Sequence, residues 1–540
     1  MMTLLKRLFD KLDKLFFRTP SGAQVGTGDN VSGLSGVEQR GWVRELNSGK
    51  MGIPGVRITF AGAETVISDG MGAFRLVFAD KKPGDPIFLV GIAKSGYELV
   101  NAGELASLTI GSDGLLGQDI ILAKTGVLAR AKSDYGQICV HTFWEEYQKA
   151  KKGLANKMAR KAITEWAYWD EIECLREQCL NMWSSLSELF ADAFARMDLD
   201  DRSPVFRRAY RLFVDSRQID RAILLLEGKD FIGRIKKRME EKGDPKETPG
   251  MESGEKADGE RGLLEDLRGM RFLSQLYMLS LQKRKAERMY DDLSYLGFRH
   301  PEILWACADF YRENDRLIDA NALYREITAH PDVWDLQKAL AYGHFGESYT
   351  LMGNYREALG AFRKARKAHE LLWGRHPDIL HYRENLALSL ERLGATHQAM
   401  NQLKKAVYFF EQFKGLSNEL YAAFPRQVQY KSGLAISYER LGAMHDGFGD
   451  SDKALDFYGQ GLQLLKELHE LFPKDMDFKN RFAQAHLRLG HFYEYKKEDE
   501  VVARSHYAQC EVLWAELVDS FPLHDEFRAR LTWVRKVLED

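Results

Sequence analysis

Cysteine is scarce in this sequence, long apolar runs are missing, and neither sign of charge prevails. The five cysteines (Cys139, Cys174, Cys179, Cys307 and Cys510) are spread over 540 residues. They are too few and too scattered for a disulfide framework, and their odd number fits a reducing compartment. Cys174 and Cys179 lie five apart, on different sides of a helix, whereas a zinc site uses tighter, repeated pairs. No apolar run approaches the roughly 18–20 residues that cross a bilayer. The opening residues lack the uninterrupted apolar core of a signal peptide, so a cytoplasmic location is expected. The 77 Lys and Arg against 79 Asp and Glu leave a net charge of −2. A nucleic-acid binder usually shows a basic excess to neutralise phosphates, so no nucleic-acid partner is expected. The phosphate-loop pattern GxxxxGK[ST], HExxH, GxSxG and paired-cysteine motifs are all absent. The sequence therefore assigns no catalytic residue, no metal and no cofactor, and reads as a non-enzyme.

What is present begins with MMTLLKRLFDKLDKLFFR. Leu5, Leu8, Phe9, Leu12, Leu15 and Phe16 fall at three- and four-residue spacing, with Lys, Arg and Asp between them. Residues 1–19 therefore read as an amphipathic helix. It would dock on a partner helix, on the rest of the chain, or, through residues 1–18, on a membrane surface. Residues 20–37 are rich in glycine and serine, a linker composition. From residue 38 the apolar period becomes two: Val56, Ile58, Phe60; Phe74, Leu76, Phe78; Phe88, Val90, Ile92. Glycine, proline and aspartate turns separate these runs, the pattern of a small antiparallel β-sandwich over 38–125. The stretches GIPGVRITFAGAETVISDGMGAFRLVF and GDPIFLVGIAKSGYELVN resemble a carboxypeptidase regulatory-like domain. That resemblance implies an accessory sandwich without catalysis. Asp69 is expected to shape a hairpin turn, with Gly70 and Gly72 at positive φ.

Residues 126–200 read as long helices. Between 143 and 197 there is no proline and a single glycine, and apolar positions 172, 175, 179, 182, 186 and 189 keep a coiled-coil-like rhythm. Trp166, Trp169 and Trp183 are assigned to packing. The remainder, 201–540, is helical with a charged insertion at 236–262. That insertion has almost no apolar residues and is expected to be a solvated, disordered loop.

The second half repeats. LLWGRHPDILHYRENLALSLERLG, ELYAAFPRQVQYKSGLAISYERLG and ELHELFPKDMDFKNRFAQAHLRLG align without gaps, 48 residues apart, with ELVDSFPLHDEFRARLTWVRKVLE one residue further on. Gly346, Gly394, Gly442 and Gly490 recur, each followed by alanine (Ala358, Ala406, Ala454, Ala503) and, four residues later, an aromatic. Small residues let two helices approach, and aromatics fill the space between pairs. The pattern resembles the tetratricopeptide repeat. It extends upstream at 34-residue spacing (Tyr277, Ala286, Tyr290; Tyr311, Ala320, Tyr324), with a further candidate at Phe213, Ala222 and Leu226. Seven helix pairs and a terminal helix from Asp525 are expected. About 10 of the 14 extra residues of the longer repeats should lengthen the first helix of each pair, adding roughly 15 Å.

The fold class is thus multi-domain and mainly α: a small antiparallel β-sandwich, long helices, and a right-handed α-solenoid of tetratricopeptide-like helix pairs. Such an array offers a concave surface to a protein or peptide, so an interaction scaffold or adaptor is the leading reading. A membrane-peripheral assembly factor and a component of a bacterial regulatory or defence complex are the alternatives, and the oligomeric state is open. Arg392, Arg440 and Arg488 recur two residues before the repeat glycine, with Glu391 and Glu439 beside the first two. The column is either a docking stripe for an acidic peptide or a set of inter-repeat ion pairs. The acidic stretch HDGFGDSD (445–452) looks like a metal loop but reads as a turn. Gly449 corresponds to Gly353 and Asn401, residue types suited to a left-handed helix end, and Asp450 or Ser451 can cap the next helix.

Overall fold

The computed structural model describes residues 36–46, 51–175, 204–242 and 253–539, except 84, 102–104, 106–107, 112–113, 117–118, 166, 174, 332, 378, 426 and 523. The amphipathic opening segment, nearly all of the linker, Trp166, Trp183 and the apolar seam from Cys179 to Leu189 lie outside those residues.

The β region has nine strands: β1 Val37–Glu45, β2 Arg57–Phe60, β3 Val66–Ile67, β4 Ala73–Phe78, β5 Pro86–Ile87, β6 Leu89–Ala93, β7 Tyr97–Leu99, β8 Leu108–Thr109 and β9 Ile120–Lys124. They pair in the orders β4-β1-β9-β7, β3-β2-β6 and β5-β8 around one apolar core that includes Val56, Ile58, Phe60, Phe74, Leu76 and Phe78. The alternating residues of the first two runs are therefore inside. Not every pair is antiparallel as expected: β1 runs parallel to β9, Val43 opposite Ile120. The long connection between them supplies the crossover that a parallel pair requires. In the SDGMG turn, Asp69 Oδ1 accepts hydrogen bonds from the Met71 and Ala73 amides, both at 2.8 Å. Gly72 alone has the positive φ (77°) expected of both glycines. A Cβ there would also sit 2.4 Å from the Val43 carbonyl oxygen.

Helix α1, Val127–Ala159, follows β9 directly. Its Tyr135, Cys139, Phe143 and Tyr147 are buried at four-residue spacing, on one face. Tyr135 stacks on Tyr210 at 6.1 Å and meets Phe213 edge-on at 6.0 Å, both in α2, Pro204–Val214. Trp169, assigned to packing from sequence, is exposed.

Next come α3 Ile219–Glu227, α4 Phe231–Lys242, α5 Ser253–Leu279, α6 Lys283–Tyr295, α7 Pro301–Glu313 and α8 Leu317–Ala329. The charged insertion is corrected here: α4 and α5 run into 236–262 from both sides. Lys, Glu and Arg are good helix formers, and the buried residues Phe231, Ile235 and Met239, four apart, seat α4. Arg234 and Arg238 of α4 both pair at 2.9 Å with Asp266 of α5, whose side chain is buried. Burial pushes the Asp266 carboxyl up, while the two guanidinium groups oppose that shift.

Four long pairs follow: α9 Asp335–Leu351 with α10 Tyr355–Arg375, α11 Leu380–Ala399 with α12 Leu403–Ala423, α13 Val428–Gly447 with α14 Ser451–Leu471, and α15 Met476–Phe492 with α16 Glu500–Ser520. Helix α17, Asp525–Glu539, closes the array. The extra residues are shared between both helices of a pair, contrary to the expectation that the first takes most of them. First helices grow from 13 residues in α7 to 17 in α9 and α15 and 20 in α11 and α13; second helices grow from 13 in α8 to 21 in α10, α12, α14 and α16. Antiparallel partners bury each other only along their common length, so neither can outgrow the other without exposing apolar surface.

Candidate functional site

The repeat columns meet as rings on glycines. An ideal Cβ on Gly346, Gly394, Gly442 or Gly490 would lie 2.5 Å from the ring of Phe362, Phe410, Tyr458 or Tyr507, respectively. The same contact in four consecutive pairs fixes their internal geometry. Ala358, Ala406, Ala454 and Ala503 are fully buried or nearly so beside it. A second aromatic column closes each turn between pairs. His376 lies 6.3 Å from Tyr382, Phe424 5.8 Å from Tyr430, Phe472 5.9 Å from Phe478, and Phe521 6.5 Å from Phe527.

The β region and α1 rest on these turns. Phe88 packs 5.3 Å from His376 and 6.3 Å from Tyr382, and Val90 joins the same cluster with Leu336, Leu372 and Ile379. Phe88 and Val90 alternate as a strand should, yet they face the helices. Two turns further along, Gln137 of α1 donates to the Lys474 carbonyl at 3.4 Å.

The arginine column links successive first helices. Arg392 pairs with Glu347; Arg440 donates to Glu391 at 2.8 and 3.1 Å; Arg488 lies 3.4 Å from Glu439, which also faces Arg481 at 3.6 Å. Gly343 stands one repeat before Glu391, and a Cβ there would sit 2.8 Å from the Arg392 guanidinium, so its absence leaves Arg392 room. Burial pushes the Glu347 carboxyl up, but His344, Arg392 and Arg312 prevail and hold it down at about 2. A second charged column joins the first and second helix of the last three pairs: Arg383 with Glu419, Lys431 with Glu467 at 2.7 Å, and Lys479 with Glu516 at 2.6 Å. The 48-residue period carries this column too.

The histidines at the repeat position pack as rings. His397 stacks on Phe409 at 5.4 Å and His445 on Phe457 at 5.5 Å. In the last pair the partners change places: Tyr493 is on the first-helix side and stacks on His506 at 5.8 Å. His506 Nδ1 also lies 2.9 Å from His486 Nδ1. Burial, then the neighbouring His506, pushes His486 down to about 4. In HDGFGDSD, Gly449, Gly353 and Asn401 all have positive φ (78°, 74° and 56°). Asp450 is the N-cap of α14 and pairs with Lys453 at 2.8 Å. Among the described residues no group of three His, Cys, Asp or Glu side chains is placed to hold a metal ion. No helix among them is long and apolar enough to cross a membrane.

The insertion between Gly490 and Ala503 is absorbed by one turn of π-helix, Tyr493–Lys497. Glu498 then takes the left-handed conformation (φ 53°) that Gly449 takes one repeat earlier.

One open groove of about 780 Å³ stands out, and the sequence did not single it out. It lies between the second helices α12 and α14, with α13 beneath. Tyr421, Leu434, Tyr438, Leu455 and Leu464 give it an apolar floor, and Asp452 and Asp456 stand at its edge. Burial, then Asp456, raises the Tyr438 hydroxyl above its ordinary range. Gly459 lines the same groove. A Cβ there would meet nothing within 4 Å. The corresponding residues in the neighbouring repeats are Glu411 and Ala508.

No family model matches the chain, and no curated protein matches it. Solved structures overlap it in part. BtubC (BKLC) from P. vanneervenii is 17% identical, with a TM-score of 0.35, over 43% of this chain and 90% of its own. Aspartyl phosphate phosphatase F from Bacillus subtilis is 14% identical, with a TM-score of 0.34, over 71% of this chain and 94% of its own. A putative kinesin light chain from Podosopora anserina with nearly identical TPR-like repeats is 17% identical, with a TM-score of 0.27, over 41% of this chain and 99% of its own.

Proposed function

We propose that this chain is a non-enzymatic interaction scaffold whose tetratricopeptide-like helix pairs hold a protein or peptide. The observation that carries this reading is the contrast between buried and exposed positions within one repeat. Glycine, alanine and ring columns recur from pair to pair. Three positions lining the groove do not: Tyr438 corresponds to Leu390 and His486, Asp456 to Tyr408 and Ser505, Gly459 to Glu411 and Ala508. A frame that repeats while its surface varies is suited to binding one particular partner. The arginine column belongs to the frame in this reading, because its guanidinium groups are engaged by carboxylates of the preceding pair.

The test is affinity capture with the intact chain as bait, beside its Gly459→Leu and Arg440→Gln variants. The expected result is a defined partner held by the wild type and by Arg440→Gln and lost from Gly459→Leu. No protein enriched over an unrelated helical bait would overturn the scaffold reading. A partner lost only with Arg440→Gln, in a variant that stays folded, would return the arginine column to the binding surface.

A further inference from the structure

The groove over α13 raises a question that packing does not answer. Gly459 sits inside a helix, where glycine costs about 0.5–1 kcal/mol relative to alanine. It is not among the residues at positive φ, and no neighbour approaches its missing Cβ. Gly442 and Gly490 are glycines because a ring lies on them; Gly459 has no such neighbour. Leaving that position bare keeps the groove open along its length. From Asp452 to Leu464 the lining of α14 spans about 18 Å at 1.5 Å per residue.

The edge of the groove is acidic. Lys497 lies 3.2 Å from Asp452. Asp456 accepts a hydrogen bond from Gln460 at 2.8 Å and has no cationic partner among the described residues. An occupant that suits this surface has an apolar stripe about 18 Å long, flanked by positive charge. Such a segment exists in the chain itself. Leu5, Leu8, Phe9, Leu12, Leu15 and Phe16 form a stripe at helical spacing, about 17 Å from first to last if wound as a helix. Lys6, Arg7, Lys11, Lys14 and Arg18 outnumber Asp10 and Asp13 around it. The seventeen residues 19–35 that join this segment to the β region can span up to about 60 Å. The β region itself rests on the turn at His376 and Tyr382, one pair before the groove. The tether is long enough to reach across one pair.

We propose that residues 1–18 dock in the groove of the same chain, Leu5–Phe16 against Tyr438 and Leu464 and the basic residues against Asp456, so that the segment competes with any partner for this site. The proposal rests on the reading of the array as a binding scaffold. The segment acts as an internal pseudo-ligand.

Amide hydrogen exchange over residues 452–464 of the full chain tests this directly. Wild type is compared with Leu8→Asp/Phe9→Asp/Leu12→Asp, in which only the segment changes. Exchange at these amides should be at least tenfold faster in the variant. A synthetic peptide of residues 1–18 should restore slow exchange, but not in a chain that also carries Gly459→Leu. Thermal melting of Gly459→Leu should match or exceed the wild type, showing that the groove is filled and the fold kept. Equal exchange in wild type and the triple variant overturns the proposal, as does peptide protection that survives Gly459→Leu. Protection that vanishes on dilution assigns the segment to a second copy and overturns docking within one chain. Binding of the segment to phosphatidylglycerol vesicles with unchanged groove exchange overturns it in favour of a membrane surface. None of these readouts needs an external partner, so a failed capture experiment and a failed docking experiment are told apart.

Discussion

The arginine column and the groove around Gly459 are opposite kinds of surface built on the same repeats. Along the first helices, charge is closed: Arg440 on Glu391 and Arg488 on Glu439 tie each pair to the next. Along the second helices α12 and α14, charge and apolar surface are left open around Gly459. The third and fourth pairs sharpen the difference at one repeat position. Tyr438 lies in the open groove, while its counterpart His486 is covered by His506 and Phe482, the latter at 4.7 Å. One frame can thus present a binding surface in one pair and a sealed one in the next, by changing side chains that the frame does not use.

Gly442→Val should cost most, because its added carbons meet the Tyr458 ring. Overpacking of this kind costs about 3 kcal/mol, to be read by chemical denaturation. If Gly442→Val were as mild as Gly459→Leu, the distinction between frame and groove would fail. Acid should act next, on the sealed position. His486 is held below its ordinary value, so the unfolded chain binds the extra proton. The stabilisation is whole above about pH 6.5 and is lost as pH falls toward 4, about 2 kcal/mol by pH 5. Melting at pH 7 and pH 5 should show this loss, and His486→Leu should make it smaller, leaving the part due to His369, which burial also holds down. Glu439→Ala leaves Arg481 and Arg488 without their shared carboxylate. With Arg488 partly solvated, the loss should be about 1 kcal/mol and shrink in salt. Gly459→Leu closes the series: stability unchanged or raised by about 0.5 kcal/mol, with the measurable change confined to binding.

The frame was legible in the sequence because its columns use residue types with little freedom of substitution. Only glycine fits under the rings at Gly394 and Gly442, so the period survives as letters. The lengths of the helices were less legible. Counting from Pro377 to Gly394 measures one helix and says nothing of where its partner ends. The column Arg383, Lys431 and Lys479 recurs just as regularly, but lysine and arginine are common on any helix, and only their pairing across helices distinguishes them. Phe88 and Val90 show the period of a strand without naming what they face. The groove left no pattern at all. Gly459 is one glycine among several in helices with nothing near the missing Cβ, and its meaning depends on the groove it lines.

The single turn of π-helix at Tyr493–Lys497 has a consequence for how such a chain can change. An extra residue within a regular helix would rotate everything after it by about 100° and turn buried side chains outward. Here the slack is taken up within five residues, and Ala503 and Tyr507 return to the places their counterparts occupy. The join between the two helices of a pair therefore acts as an expansion joint. Pairs of 48 and 49 residues can be exchanged, duplicated or deleted as units, and the contacts of those that remain stay in phase.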